Sequence, residues 1–118
     1  MTDPRRDVRV EHHATGAKKT EVPLEDGLAH GLVRAWHVNG TIHFEVEYRR
    51  GARHGTLKVW YENGQLESVR AYVSGKKHGP FTDWHRNGVK AADGEYEDDR
   101  IVRMREWDER GDEVRSSR

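Results

Sequence analysis

The sequence predicts an all-β protein, a single-layer antiparallel β-meander of tandem 24-residue β-hairpin repeats, and three observations carry that prediction. First, His30-Gly31, His54-Gly55 and His78-Gly79 recur at a spacing of 24, as do Trp36, Trp60 and Trp84. Second, Asn39-Gly40, Asn63-Gly64 and Asn87-Gly88 fall in the same register. Asn-Gly between alternating apolar residues is a strong hairpin signal, because both central residues of a type I′ turn need positive φ. Third, no apolar period of 3.6 residues appears anywhere, which argues against helices.

The elements follow in order. A degenerate N-terminal repeat spans 7–26: Gly16 lies 24 before Gly40, while His12 takes the tryptophan column and Asp7 the glycine column. Repeats 27–50, 51–74 and 75–97 are full copies. In the first of these, Leu32 to Val38 is rich in β-formers and Thr41 to Tyr48 alternates polar with apolar, giving two strands around Asn39-Gly40. The link from Arg49 to Gly55 carries two glycines four apart among polar residues, as a longer turn would. A C-terminal capping repeat spans 98–114, with Trp107 and Gly111 arriving 23 residues after Trp84 and Gly88, one early. Residues 115–118 are expected to fray. Gly94 alone among the 12 glycines is out of register.

A two-residue Asn-Gly loop would set Val38 opposite Thr41, Trp36 opposite His43 and Val33 opposite Val46. One face would then hold Val33, Ala35, Ile42, Phe44, Val46 and Tyr48, continued by Leu57, Val59, Tyr61, Leu66, Tyr72, Phe81, Tyr96 and Met104. The other would hold the tryptophans among Arg34, His43, Glu45, Lys58, Glu67, Thr82 and Arg86. A bulge would exchange these faces in one copy, and Gly94 and the weak alternation after Leu66 mark where to expect it. Three full and two partial copies give a ribbon about 40 Å long at the usual strand spacing.

Composition bounds the function. The 118 residues and 13.7 kDa allow one domain. Lysine plus arginine balances aspartate plus glutamate at 21 each, and the pI is about 7.1, which argues against nucleic acid as partner. Only 33% of residues are hydrophobic, 36% are charged and mean hydropathy is −1.08, excluding a thick core. Cysteine is absent, so disulfides, thiolate nucleophiles and cysteine-based zinc sites are excluded. No apolar run approaches the roughly 18 residues of a spanning helix, and no hydrophobic leader follows Met1; a soluble, cytoplasmic chain is expected.

Chemistry finds few footholds. His30, His54 and His78 recur once per repeat, roughly 10 Å apart, too far to share a metal. His12-His13 points its rings to opposite faces. His13, His37 and His85 form another column, interrupted by Tyr61. Ser68, Ser74, Ser116 and Ser117 lie in no nucleophile elbow, and no glycine-rich turn leads into a helix. Catalytic, metal and cofactor sites are therefore not expected, and the protein is read as a non-enzyme.

The run Gly55-x4-Trp60-Tyr61-Glu62-Asn63-Gly64-x7-Tyr72-x2-Gly75-x2-His78-Gly79-x4-Trp84-x2-Asn87-Gly88 resembles MORN repeats, more narrowly the variant MORN repeats of bacterial YwqK-type antitoxins. The resemblance extends over roughly residues 27 to 111. It implies a ribbon of β-hairpins acting as a binding scaffold, and an antitoxin or immunity-type protein of a toxin–antitoxin system that neutralises a toxin by direct contact. The ends depart from the pattern: the N-terminal copy lacks the tryptophan, Asp98-Asp99 stands near the usual glycine, and Val102 replaces the glycine of His-Gly.

A lone sheet leaves an apolar face wet, and displayed aromatic and arginine side chains are typical interface anchors. The candidate partner-binding residues are Trp36, Trp60, Trp84, Tyr48, Tyr61, Tyr72, Phe44, Arg49, Arg50, Arg53, Lys76 and Lys77. The basic loops are flanked by Glu25-Asp26 and Asp98-Asp99, so one edge of the ribbon is zoned in charge. The expected partner is a protein, such as a toxin encoded by an adjacent gene. An anionic membrane, where each basic residue contributes about 1 kcal/mol, and a homodimer closing apolar faces are the alternatives.

Overall fold

Each repeat turns twice, by two different devices, and the devices set the sheet. The structure, a computed structural model, describes residues 3–114; the tail expected at 115–118, with Ser116 and Ser117, lies outside the described residues. The strands are β1 (Arg6–His12), β2 (Lys18–Glu25), β3 (Leu28–Ala29), β4 (Gly31–Trp36), β5 (Ile42–Arg49), β6 (Ala52–Trp60), β7 (Leu66–Val73), β8 (Lys76–Trp84), β9 (Lys90–Glu97), β10 (Arg100–Trp107) and β11 (Glu113–Val114). They form one open antiparallel sheet in the order β1-β2-β4-β5-β6-β7-β8-β9-β10-β11, with β3 paired to β2. This is the all-β meander predicted. Its extents are 56 × 36 × 17 Å, longer than the expected ribbon because β1 and β10 are paired along their whole lengths as well.

The Asn-Gly turns are not type I′. Gly40 N–H donates to the His37 carbonyl at 2.9 Å, His37 N–H donates to that of Thr41 at 2.8 Å, and only Gly40, at φ 90°, has positive φ. This is a type I turn closed by a glycine bulge, and it sets Trp36 opposite Ile42 instead of His43. Asparagine is there for its side chain. Asn39 Oδ1 accepts from Thr41 N–H at 3.1 Å while its Nδ2 donates to the Glu62 carbonyl of the next hairpin at 3.1 Å. Asn63 and Asn87 repeat the bond to Arg86 and Glu109. The type I′ geometry belongs to the opposite end of each hairpin, where Arg50 and Gly51 have φ 49° and 85°, and Ser74 and Gly75 have 50° and 85°.

Both ends carry bulges in every full copy, not in one. Beside the His-Gly segments, Val46 pairs with Leu57 but Tyr48 with Arg53, so three residues of β6 oppose Glu47. The shift is even and leaves the faces unchanged. In the last copy Ile101 pairs with Tyr96 and Arg103 with Glu95, one extra residue in place of two, which is the origin of the 23-residue spacing.

Pairing then assigns the faces. Val33, Val46, Leu57, Arg70, Phe81, Gly94 and Met104 form one cross-strand row, and Ala35, Phe44, Val59, Ser68, Asp83, Ala92 and Glu106 the next. The buried apolar residues Val33, Ala35, Val46, Phe81 and Ala92 lie in these rows, and Tyr72 beside them. Two expectations are overturned. Ile42 and Leu66 pair with Trp36 and Trp60 and so share the tryptophan face. His43 and Glu67 are the extra residues at that bulge and turn to the apolar side, His43 against the Phe44 ring and Glu67 beside Ser68 and Arg70. No bulge occurs at Gly94 against β8, where Phe81 pairs with it directly. The opposite face is charged: Glu21, Arg34, Glu45 and Lys58 face one another in succession, an alternating ladder of the kind that stabilises cross-strand pairs.

Candidate functional site

The repeats are joined by a side-chain ladder at the Asn-Gly end. His13 Nε2 lies 2.9 Å from the Trp36 carbonyl, His37 Nε2 2.8 Å from that of Trp60, and His85 Nε2 2.8 Å from that of Trp107. A carbonyl only accepts, so each Nε2 carries the proton. Tyr61 does not interrupt this column: its hydroxyl donates to the Trp84 carbonyl at 2.6 Å. Burial, then the nearby Glu67 carboxylate, raises the Tyr61 phenol above its ordinary value. At the other end, His30 Nδ1 accepts from Arg50 N–H at 3.1 Å, and His54 and His78 accept likewise from Ser74 and Asp98, bracing the positive-φ residue of the following turn.

The four tryptophans line up at the ends of β4, β6, β8 and β10. Each is half-buried in a seat between neighbouring bulged turns, Asn-Gly in the middle copies and Thr15-Gly16 or Arg110-Gly111 at the ends. Trp36 lies against Ala17, Lys18 and Gly40, with the Lys18 ammonium 5.3 Å from its ring centre. Trp60 and Trp84 border a groove floored by Gly64, Leu66 and Gly88. Lys90 sits 5.2 Å over Trp107, so lysine covers the indoles of the outer seats while Ile42 and Leu66 occupy that column in the inner ones.

The other face holds a depression of about 470 Å³, lined among others by Leu57, Val59, Tyr61, Glu67, Arg70, Tyr72 and Lys77. Its floor is polar. Arg70 grips both oxygens of Asp83 at 2.9 Å, and Ser68 Oγ donates to Asp83 Oδ1 at 2.8 Å. The Arg70 guanidinium also lies 5.0 Å from the Phe81 ring and 5.7 Å from that of Tyr96. The equivalent positions one repeat earlier are Phe44, Val46 and Val59, so this triad is a polar inlay in an apolar face.

Beside the depression runs a line of tyrosines and cations. Arg53, opposite Tyr48, donates from Nε to the Tyr48 hydroxyl at 3.4 Å and from Nη1 to that of Tyr72 at 3.2 Å. The bond to Tyr48 is the main cause that holds its guanidinium above the ordinary value. Lys77, opposite Tyr72, has its ammonium 5.2 Å from the Tyr96 ring. Arg49, Arg50 and Lys76 remain exposed on the turns.

Of the candidate residues, Phe44, Tyr48, Tyr61, Tyr72, Arg53 and Lys77 are therefore brought to one face, with Arg49, Arg50 and Lys76 on its rim. Trp36, Trp60 and Trp84 lie on the opposite face and are not gathered with them. The sequence raised Ser68 only as a nucleophile without an elbow and did not single out Arg70 and Asp83; the signal was the break in apolar alternation after Leu66. Among the described residues no group of three His, Cys, Asp or Glu is placed to hold a metal, and no helix is long and apolar enough to cross a membrane.

Repeated hairpins in one thin sheet define a repeat scaffold of stacked supersecondary units. The family model of the MORN repeat variant matches residues 53–73, the β6–β7 copy. No curated protein and no solved structure matches the chain.

Proposed function

We propose that this protein is a non-enzymatic protein-binding scaffold that works by presenting its apolar face. The observation that carries this reading is surface. The chain exposes 8254 Å², where a compact protein of its mass exposes about 6,600 Å². The excess is about twice the roughly 800 Å² that each partner contributes to a standard protein interface. A single sheet has no second layer of its own: Val33, Val46 and Phe81 are buried among their neighbours, but Ile101 and Met104 on the same face stay exposed for another molecule to cover. A binding role is also favoured by the floor of the depression, where Arg70 and Ser68 hold Asp83 fully paired instead of leaving it free as an acid or base.

The partner most in keeping with the variant MORN repeat is a toxin, neutralised by occlusion, with the chain acting as a cytoplasmic antitoxin or immunity-type protein of a bacterium. Co-purification with the product of the adjacent gene, and growth rescue on co-expression, test it. Capture with rescue is expected; neither capture nor rescue would end the antitoxin role. A homodimer is the second reading, favoured by exposed Ile101, Val102 and Met104 on β10, and a monomer by light scattering would remove it.

A further inference from the structure

We propose that Arg53 and Lys77, each set between two tyrosines of the row Tyr48, Tyr72 and Tyr96, are paired slots for carboxylates of an acidic stretch in the protein partner. The inference rests on the scaffold reading and names the chemistry the scaffold recognises.

The two cations occupy equivalent positions, one repeat or about 10 Å apart. The same column holds Ala29 and Ile101 in the outer copies, so charge is confined to the middle of the row. Both side chains are half-buried, and among the described residues neither is in an ion pair, whereas Arg34, Arg70, Arg103 and Arg105 all are. Neither side chain has a carboxylate partner among the described residues, so an incoming carboxylate adds a charge-assisted bond that the tyrosine hydroxyls and rings do not supply. Arg53 bonds the Tyr48 and Tyr72 hydroxyls through Nε and Nη1, which leaves the Nη2 donors for a carboxylate. The Tyr72 ring centre lies 5.4 Å from the Arg53 guanidinium and the Tyr96 ring centre 5.2 Å from the Lys77 ammonium, so a tyrosine walls each slot.

Zoning selects a polypeptide over a bilayer. Asp26 on one flank and Asp98 and Asp99 on the other are exposed on the same row of turns as Arg50 and Ser74. A flat anionic surface touching the basic turns would meet these carboxylates too. A narrow segment laid along the tyrosine row avoids Asp26 and Asp98 and meets only Asp99, whose carboxylate is already engaged by Lys77 N–H at 2.8 Å, while the exposed Arg49, Arg50 and Lys76 steer its approach.

The test is fluorescence anisotropy of a labelled oligoglutamate peptide against the intact chain, with an oligoglutamine peptide and phosphatidylcholine–phosphatidylserine vesicles as comparisons. Circular dichroism verifies folding of every variant. The Arg53→Gln/Lys77→Gln pair is expected to weaken oligoglutamate binding about tenfold or more, and the rim pair Arg49→Gln/Arg50→Gln by no more than about threefold. Arg53→Lys is expected to restore part of the loss. Equal losses in the two pairs, or vesicle capture that exceeds peptide binding and depends on the rim pair, would overturn the slots. If oligoglutamate fails to bind while the adjacent gene's product is still captured, the slots are wrong and the scaffold stands; failure of both removes both.

Discussion

Phe81 on β8 lies directly opposite Gly94 on β9, and its ring covers the place where a side chain would stand. A Cβ at Gly94 would come 2.8 Å from Phe81 Cε1 and collide with the Arg103 carbonyl. The position has ordinary negative φ, unlike the other glycines, so space and not backbone freedom is what requires glycine there. An aromatic ring laid across a strand glycine restores the packing that the glycine forfeits.

Gly94→Ala is therefore expected to cost about 2–3 kcal/mol, as overpacking does. Gly16→Ala, with nothing near its Cβ, suffers only the strain of φ 92° and should cost about 1 kcal/mol. Urea titrations of the two variants decide it; equal losses would show that β10 at Arg103 and the Phe81 ring both yield freely.

The Arg70–Asp83 pair is an ionic contact that its neighbours do without. Removing one partner, as in Asp83→Ala, leaves a half-buried guanidinium and should destabilise the fold by about 1–3 kcal/mol. Replacing both with the residues of the preceding copy, Arg70→Val with Asp83→Val, should recover most of that loss. A double variant less stable than the single one in thermal melts would mean that the inlay stabilises the sheet in its own right.

Tyr61→Phe deletes one hydrogen bond to the Trp84 carbonyl and is expected to cost about 1 kcal/mol. Tyr61→His substitutes the residue used at 37 and 85 and should cost less than the phenylalanine change. Ranking the two by chemical denaturation tests whether the column works as one ladder.

Burial, with the His37 ring centred 4.3 Å away as the next cause, lowers the His43 pKa from its ordinary 6.5. The unfolded chain therefore takes up the proton first on acidification. The contribution of this group is complete above pH 6.5 and lost as pH falls through the depressed folded value. Melting temperature should decline below pH 6.5, and His43→Asn should flatten that part of the profile. An unchanged slope in the variant would assign the decline to another group.

Much of the architecture was legible because the repeat period is also the structural period: each 24-residue copy adds two strands, so identical columns must stack. The column of His37 and His85 could be seen, but that Tyr61 serves it could not, since a phenol and an imidazole share nothing in composition and meet only at a carbonyl. The turns were misassigned for a related reason. Asn-Gly fits both a type I′ turn and a bulged type I turn, and the bulged form occurs also at Thr15-Gly16 and Arg110-Gly111, where no asparagine stands.

The sequence by itself determined the strands, their antiparallel order and the alignment of Trp36, Trp60 and Trp84, because these follow from periodicity and local backbone preference. Only the tertiary structure decided which side chains share a face. A one-residue bulge moves His43 and Glu67 across the sheet and carries Ile42 and Leu66 the other way, and the slip follows from which of two turns the backbone closes, a choice the Asn-Gly pattern leaves open. The slots at Arg53 and Lys77 are of the same origin, since their tyrosine walls come from neighbouring strands.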